Sequence, residues 1–147
     1  MINKIFDMTV EGSVGAPTLT TYLLDTPGGL LIQERPIVLI CPGGGYNHVS
    51  VREGEPLALQ FMAMGFHAAV LNYSVSPAVY PTQLLELAKA VALLRDRAQE
   101  WHIRRDRLLI QGSSAGDIWR RPLAASGKGS CLQRHQEAMR KSCAQMD

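Results

Sequence analysis

The sequence predicts an α/β fold, a mostly parallel sheet with helices on both faces, on three observations. Strand-like and helix-like periodicities alternate from residue 18 to 116, the pattern of parallel strands covered by helices. A continuous apolar run, Pro36 to Cys41, leads into Gly43-Gly44-Gly45, as a strand buried on both faces does when it ends in a tight loop. A second apolar segment, Leu108 to Gln111, runs directly into Gly112-Ser113-Ser114-Ala115-Gly116, which reads as a sharp strand-to-helix turn.

Four strands and two helices are expected over this stretch. The first strand, Thr18 to Leu24, is rich in Thr and apolar residues and ends in the turn cluster Asp25-Thr26-Pro27-Gly28-Gly29. The second is Pro36 to Cys41. A helix follows the glycine loop: Pro56 is tolerated in a first turn, Leu57, Ala58, Phe61 and Met62 share a face, and Gly65 is a stop signal. The third strand spans about His67 to Tyr73. The second helix starts near Pro81, with Leu84, Leu87, Ala88, Val91 and Leu94 as its core stripe. Lys89, Arg95, Asp96 and Arg97 read as its solvated side, and His102 as its end, where a positive charge suits the dipole. The fourth strand is Leu108 to Gln111.

Composition narrows the function classes. At 147 residues the chain suits one domain. A formal charge of +2 is too small to point to nucleic acid or an anionic membrane as a partner. The basic residues of the last stretch, Arg120, Arg121, Lys128, Arg134, Arg140 and Lys141, come with no aromatic platform. Met1 to Val10 carries Asn3, Lys4 and Asp7 and so lacks the apolar core of a secretory leader. No run approaches membrane-spanning length. Cys41, Cys131 and Cys143 are odd in number and lack C-x-x-C spacing, which speaks against a disulfide framework and a zinc site. A cytoplasmic protein without metal or cofactor is expected, with Cys41 as a small buried residue.

The chemistry centres on Ser114. A G-x-S-x-G pentad arises by chance in roughly one chain in twenty of this size, so its context carries the argument. Here a strand precedes it, and a glycine loop follows an earlier buried strand, with a helix and a strand between them. Such a turn holds its serine in a strained backbone conformation, and glycines two residues to either side let the chain pass closely. Ester hydrolysis through an acyl-enzyme also needs N–H donors aimed at the developing oxyanion. Ala115 N–H is one candidate, and Gly44 and Gly45 N–H are the others. A plain flexible turn and a phosphate-cradling loop are rival readings of these glycines, but no Gly-Lys-Ser/Thr ending or G-x-G-x-x-G spacing accompanies them.

Three stretches, Arg35-Pro36-Ile37-Val38-Leu39-Ile40-Cys41-Pro42-Gly43-Gly44-Gly45-Tyr46, Val70-Leu71-Asn72-Tyr73-Ser74-Val75-Ser76-Pro77 and the pentad, together resemble the bacterial esterase/lipase branch of the α/β-hydrolase superfamily, nearest its acetyl-xylan-esterase-like group. The resemblance covers about residues 18 to 116. It implies a serine carboxylesterase with Ser114 as nucleophile, acting on small acyl esters or acylated carbohydrates. It also implies an acid and a histidine downstream of the serine. Only His135 and the acids Asp117, Glu137 and Asp147 follow Gly116, with no strand-like run to seat them as a triad.

After the pentad the family pattern continues Gly-His-Leu-Ala-Ala-Ser-Leu, whereas this chain reads Asp117-Ile118-Trp119-Arg120-Arg121-Pro122-Leu123. Codons GGA CAT CTG GCG GCG TCC CTT G, less one G of the first, translate as the observed seven residues. The expected organisation is thus an N-terminal part of a hydrolase domain over 1–116, lacking the C-terminal strands, and an out-of-frame tail over 117–147. Resequencing across the codons for Ala115 to Trp119 decides this. Loss of the later strands would expose Leu108 to Gln111 as a sheet edge and favour self-association.

Overall fold

A computed structural model describes residues 1–26 and 32–117. Its elements are β1 (Ile2–Asp7), β2 (Thr18–Leu23), β3 (Arg35–Cys41), a one-turn 3-10 helix (Val51–Glu53), α1 (Glu55–Ala63), β4 (His67–Asn72), α2 (Thr82–Asp96) and β5 (Ile103–Gly112). They form one mixed sheet in the order β1-β2-β4-β3-β5. The β4-β3-β5 part is parallel, while β1 and β2 are added antiparallel at one side.

This order explains why helices cover both faces. The β3-α1-β4 connection steps one way across the sheet, and β4-α2-β5 steps back the other way over β3. With both crossovers right-handed, the two helices must lie on opposite faces. Burial along β3 records the result, because successive side chains point to opposite sides. Ile37, Leu39 and Cys41 pack with Leu87, Ala90, Val91 and Leu94 of α2, whereas Val38 and Ile40 pack with Ala58 and Met62 of α1. All five residues of the expected α2 stripe are buried. Cys41 is buried too, and burial pushes its thiol up to about 12.

Gly65 stops α1 by a fully formed Schellman motif. Its φ is 87°, its N–H donates to Met62 O at 2.9 Å, and Phe66 N–H donates to Phe61 O at 3.1 Å. The accompanying apolar contact is the edge-on pair Phe61–Phe66, with ring centroids 6.0 Å apart.

The structure departs from expectation in four places. β1 exists although none of its side chains is buried. It is held by continuous pairing from Ile2↔Leu23 to Asp7↔Thr18 and by Phe6 against Trp101, centroids 5.4 Å apart. β5 begins at Ile103, five residues before the apolar run, because Ile103 pairs with Arg35 ahead of an irregularity in the ladder. β3 likewise starts at Arg35. His102 does not end α2, which stops at Asp96. It stands at φ 53°, and its carbonyl accepts from Arg35 N–H at 2.8 Å and lies 3.3 Å from His67 Nε2.

His67 is fully buried at the start of β4. Its Nδ1 accepts from Leu24 N–H at 3.1 Å, which leaves Nε2 as the protonated nitrogen facing His102 O. Burial, with a smaller effect of nearby Arg35 and His102, lowers its pKa to about 4. Among the described residues no helix is long and apolar enough to cross a membrane.

Candidate active site

Parallel strands deliver their C-terminal loops to one end of the sheet, where open α/β sheets bind ligands. The loops after β3 and β5 meet there. Ser114 is exposed, with φ 49°, a left-handed conformation that costs a non-glycine residue roughly 1–2 kcal/mol. The turn is closed by Gly116 N–H to Ser113 O at 2.8 Å and Asp117 N–H to Ser114 O at 3.1 Å. Ser113 N–H donates to Cys41 O at 3.1 Å, so the elbow is tied to the end of β3.

The flanking glycines are required by space. A Cβ on Gly112 would lie 2.5 Å from Asp117 Cα, and one on Gly116 would lie 2.1 Å from Cys41 O. Gly43 brings the other loop into place: a Cβ there would lie 2.9 Å from Ser113 O and 3.4 Å from Ser114 Cβ. The glycine loop therefore lies directly on the serine turn. Gly44 and Gly45 follow with φ 140° and 60°.

Two carbonyl contacts orient this loop. Gly43 O accepts from Ser50 N–H at 2.8 Å, and Gly44 O accepts from Asn47 N–H at 3.2 Å. In a trans peptide the N–H points away from its carbonyl, so the Gly44 and Gly45 N–H groups face away from these partners. Among the described residues neither group, nor Ala115 N–H, has an acceptor. Ser114 Oγ likewise has no hydrogen-bond partner among the described residues, and no group of His, Cys, Asp or Glu there could hold a metal ion. His48, the nearest histidine in the loop sequence, is exposed. His135, Glu137 and Asp147, with the basic tail, Cys131 and Cys143, lie outside the described residues.

Several supports escaped the sequence reading. Tyr73 OH donates to Pro42 O at 2.5 Å, and Glu53 Oε2 accepts from Gly43 N–H at 2.6 Å. Burial, assisted by Cys41, Tyr46 and Glu53, raises the Tyr73 phenol well above its usual range, in keeping with the proton it donates to the Pro42 carbonyl. Ser76 N–H donates to Tyr46 O at 2.7 Å and joins the loop after β4 to the glycine loop. Behind it, the buried carboxylate of Glu86 accepts from Ser74 N–H at 2.8 Å, Ser74 Oγ and Ser13 Oγ at 2.7 Å. No periodicity announces such side-chain-to-backbone bonds. The one signal in the sequence is that Tyr73 and Ser74 stand at the end of the third expected strand, directly after Asn72, where β4 ends.

The BD-FAE family model matches residues 31–143. The chain belongs to this family. It is 34% identical over 111 residues to endo-1,4-beta-xylanase B of Butyrivibrio fibrisolvens, covering 72% of this chain and 17% of that protein. Its structure is similar to that of MGS-M1, an α/β-hydrolase enzyme from a Medee basin deep-sea metagenome library, at TM-score 0.76 and 41% identity. That match covers 86% of this chain and 52% of MGS-M1. The acetyl ester-xyloside bifunctional hydrolase of Caldicellulosiruptor lactoaceticus is also similar, at TM-score 0.70 and 29% identity over 79% of this chain and 44% of its own. The fold of this BD-FAE member is thus that of the α/β hydrolases, and its relatives are esterases and hydrolases. The chain spans about half the length of these solved structures and less of the xylanase.

Proposed function

We infer that the chain carries the nucleophile half of a serine carboxylesterase-type hydrolase. Ser114 acts as nucleophile, and Ala115, Gly44 and Gly45 N–H receive the oxyanion. The observation that supports this best is the left-handed Ser114 at the end of β5 with Gly43 packed against it. Ser114 is exposed there, and among the described residues the Ala115, Gly44 and Gly45 N–H groups have no acceptor, which suits donors kept for an oxyanion in acyl transfer. Small acyl esters, including acylated carbohydrates, are the substrate class, in keeping with the acetyl ester-xyloside hydrolase and the xylanase to which the chain is similar.

Turnover by this chain is weak or absent on this reading. A serine hydroxyl without a base is a poor nucleophile, and Ser114 Oγ has no such partner among the described residues. The same fact favours a second reading, an inert interaction module. A fluorophosphonate probe with p-nitrophenyl acetate divides the two. The expected result is slow labelling and turnover that both vanish in Ser114→Ala; identical behaviour of wild type and variant leaves only the inert module.

Self-association through β5 belongs to the same proposal. Among the described residues β5 pairs only with β3, and Leu109 on it is 51% exposed. An open strand with an apolar side chain is a template for pairing with another chain. Light scattering is expected to show oligomers that Leu109→Lys reduces; a monomer at every concentration argues against it.

A further inference from the structure

We propose that Glu53 is a positioning residue for the oxyanion loop, acting with Tyr73 as a clamp on the single peptide unit between Pro42 and Gly43. The two ends of that unit are held by different side chains. Its carbonyl accepts from Tyr73 OH at 2.5 Å, and its N–H donates to Glu53 Oε2 at 2.6 Å. A planar peptide fixed at both its oxygen and its hydrogen cannot rotate about its Cα–Cα axis. Free rotation would otherwise be easy, because glycine at positions 43 to 45 removes the steric limits on φ and ψ.

The fixed unit sets the next ones. With the Pro42–Gly43 plane held and Gly43 O bound to Ser50 N–H at 2.8 Å, the Gly44 N–H has one direction left to it. The proposed nucleophile turn packs on this same spot, since a Cβ on Gly43 would lie 3.0 Å from Glu53 Oε2 and 3.4 Å from Ser114 Cβ. Glu53 itself sits on the one-turn helix Val51–Glu53, closed by Glu53 N–H to Ser50 O at 3.2 Å, and the cap residue Ser50 is the one whose N–H holds Gly43 O. Its carboxylate bond to an amide is charge-assisted and so stronger than a neutral one. The role does not require Glu53 to touch substrate or move a proton. It requires only an acceptor at that point, which sets it apart from an acid or base.

This inference rests on the serine-hydrolase reading for its consequence but not for its geometry, and the experiment separates the two. In the full-length chain labelled with nitrogen-15, the Gly43 amide proton resonance reports the bond directly. It is expected far downfield in wild type, still downfield in Glu53→Gln, which keeps a side-chain acceptor, and shifted upfield with faster hydrogen exchange in Glu53→Ala. Fluorophosphonate labelling of Ser114 is expected to fall about 10- to 100-fold in Glu53→Ala, as expected when a catalytic donor is misplaced, and to be largely restored in Glu53→Gln. An unmoved Gly43 resonance in Glu53→Ala, or a Glu53→Gln variant as impaired as Glu53→Ala, overturns the clamp. If no form takes up the probe, the serine reading fails, while the Gly43 resonance still decides the clamp.

Discussion

Gly116→Ala is expected to lower stability by on the order of 4 kcal/mol or more, a size reserved for substitutions that the backbone cannot accommodate. The added Cβ would lie 2.1 Å from Cys41 O, 2.8 Å from Cys41 C and 2.8 Å from Pro42 O. All three are backbone atoms at the end of β3, a strand paired on both sides by β4 and β5. No flexible side chain is available to give way. Relief therefore requires breaking the Ser113 N–H bond to Cys41 O or moving a central strand. Gly45→Ala is the comparison: φ is 60° but nothing lies within 4 Å, so only the conformational cost of about 1 kcal/mol remains. Urea titration of both variants checks this. Equal, small losses would mean that the elbow is not packed against β3.

The second large effect is on pH. Stability is expected to fall by up to about 3 kcal/mol between pH 6.5 and 4 on account of His67 alone. Its pKa drops from 6.5 to about 4, chiefly through burial. In the unfolded chain the imidazole takes a proton as pH falls through the upper value, while the folded state resists until the lower one. The unfolded state thus binds more protons in that window, and stability rises with pH across it. Geometry gives the reason: protonating Nδ1 would set one donor against another at Leu24 N–H. Denaturant midpoints measured at intervals from pH 7 to 4, in wild type and His67→Gln, isolate the effect from carboxylate titration. Parallel profiles for the two proteins would count against it.

What the sequence revealed follows from how each part is stabilised. β3 and the α2 stripe were legible because burial on a sheet or along a helix leaves a period in the apolar residues. β1 was not, since Ile2 and Ile5 remain exposed and the strand is held by backbone pairing. The start of β5 was hidden by Arg104, Arg105, Asp106 and Arg107, whose side chains favour solvent. The serine turn was legible because close backbone approach demands glycine at 112 and 116. The supports at Glu53, Tyr73 and Glu86 were not, because one polar side chain meeting one amide leaves no recurring pattern. His102 misled because a histidine after a helix suits the dipole, whereas here its carbonyl, at positive φ, serves two partners.

The Glu86 carboxylate gathers Ser13, from the turn before β2, and Ser74, from the end of β4, although Ser13 lies 73 residues away in sequence. Val14 N–H also donates to Ser74 Oγ at 2.9 Å. Two residues beyond Ser74, Ser76 holds Tyr46 of the glycine loop. The opening hairpin is therefore not an appendage that could be exchanged independently of the chemistry. A change at Ser13 takes one of three bonds from the buried Glu86 carboxylate, and so is felt along the same chain of bonds that reaches the glycine loop.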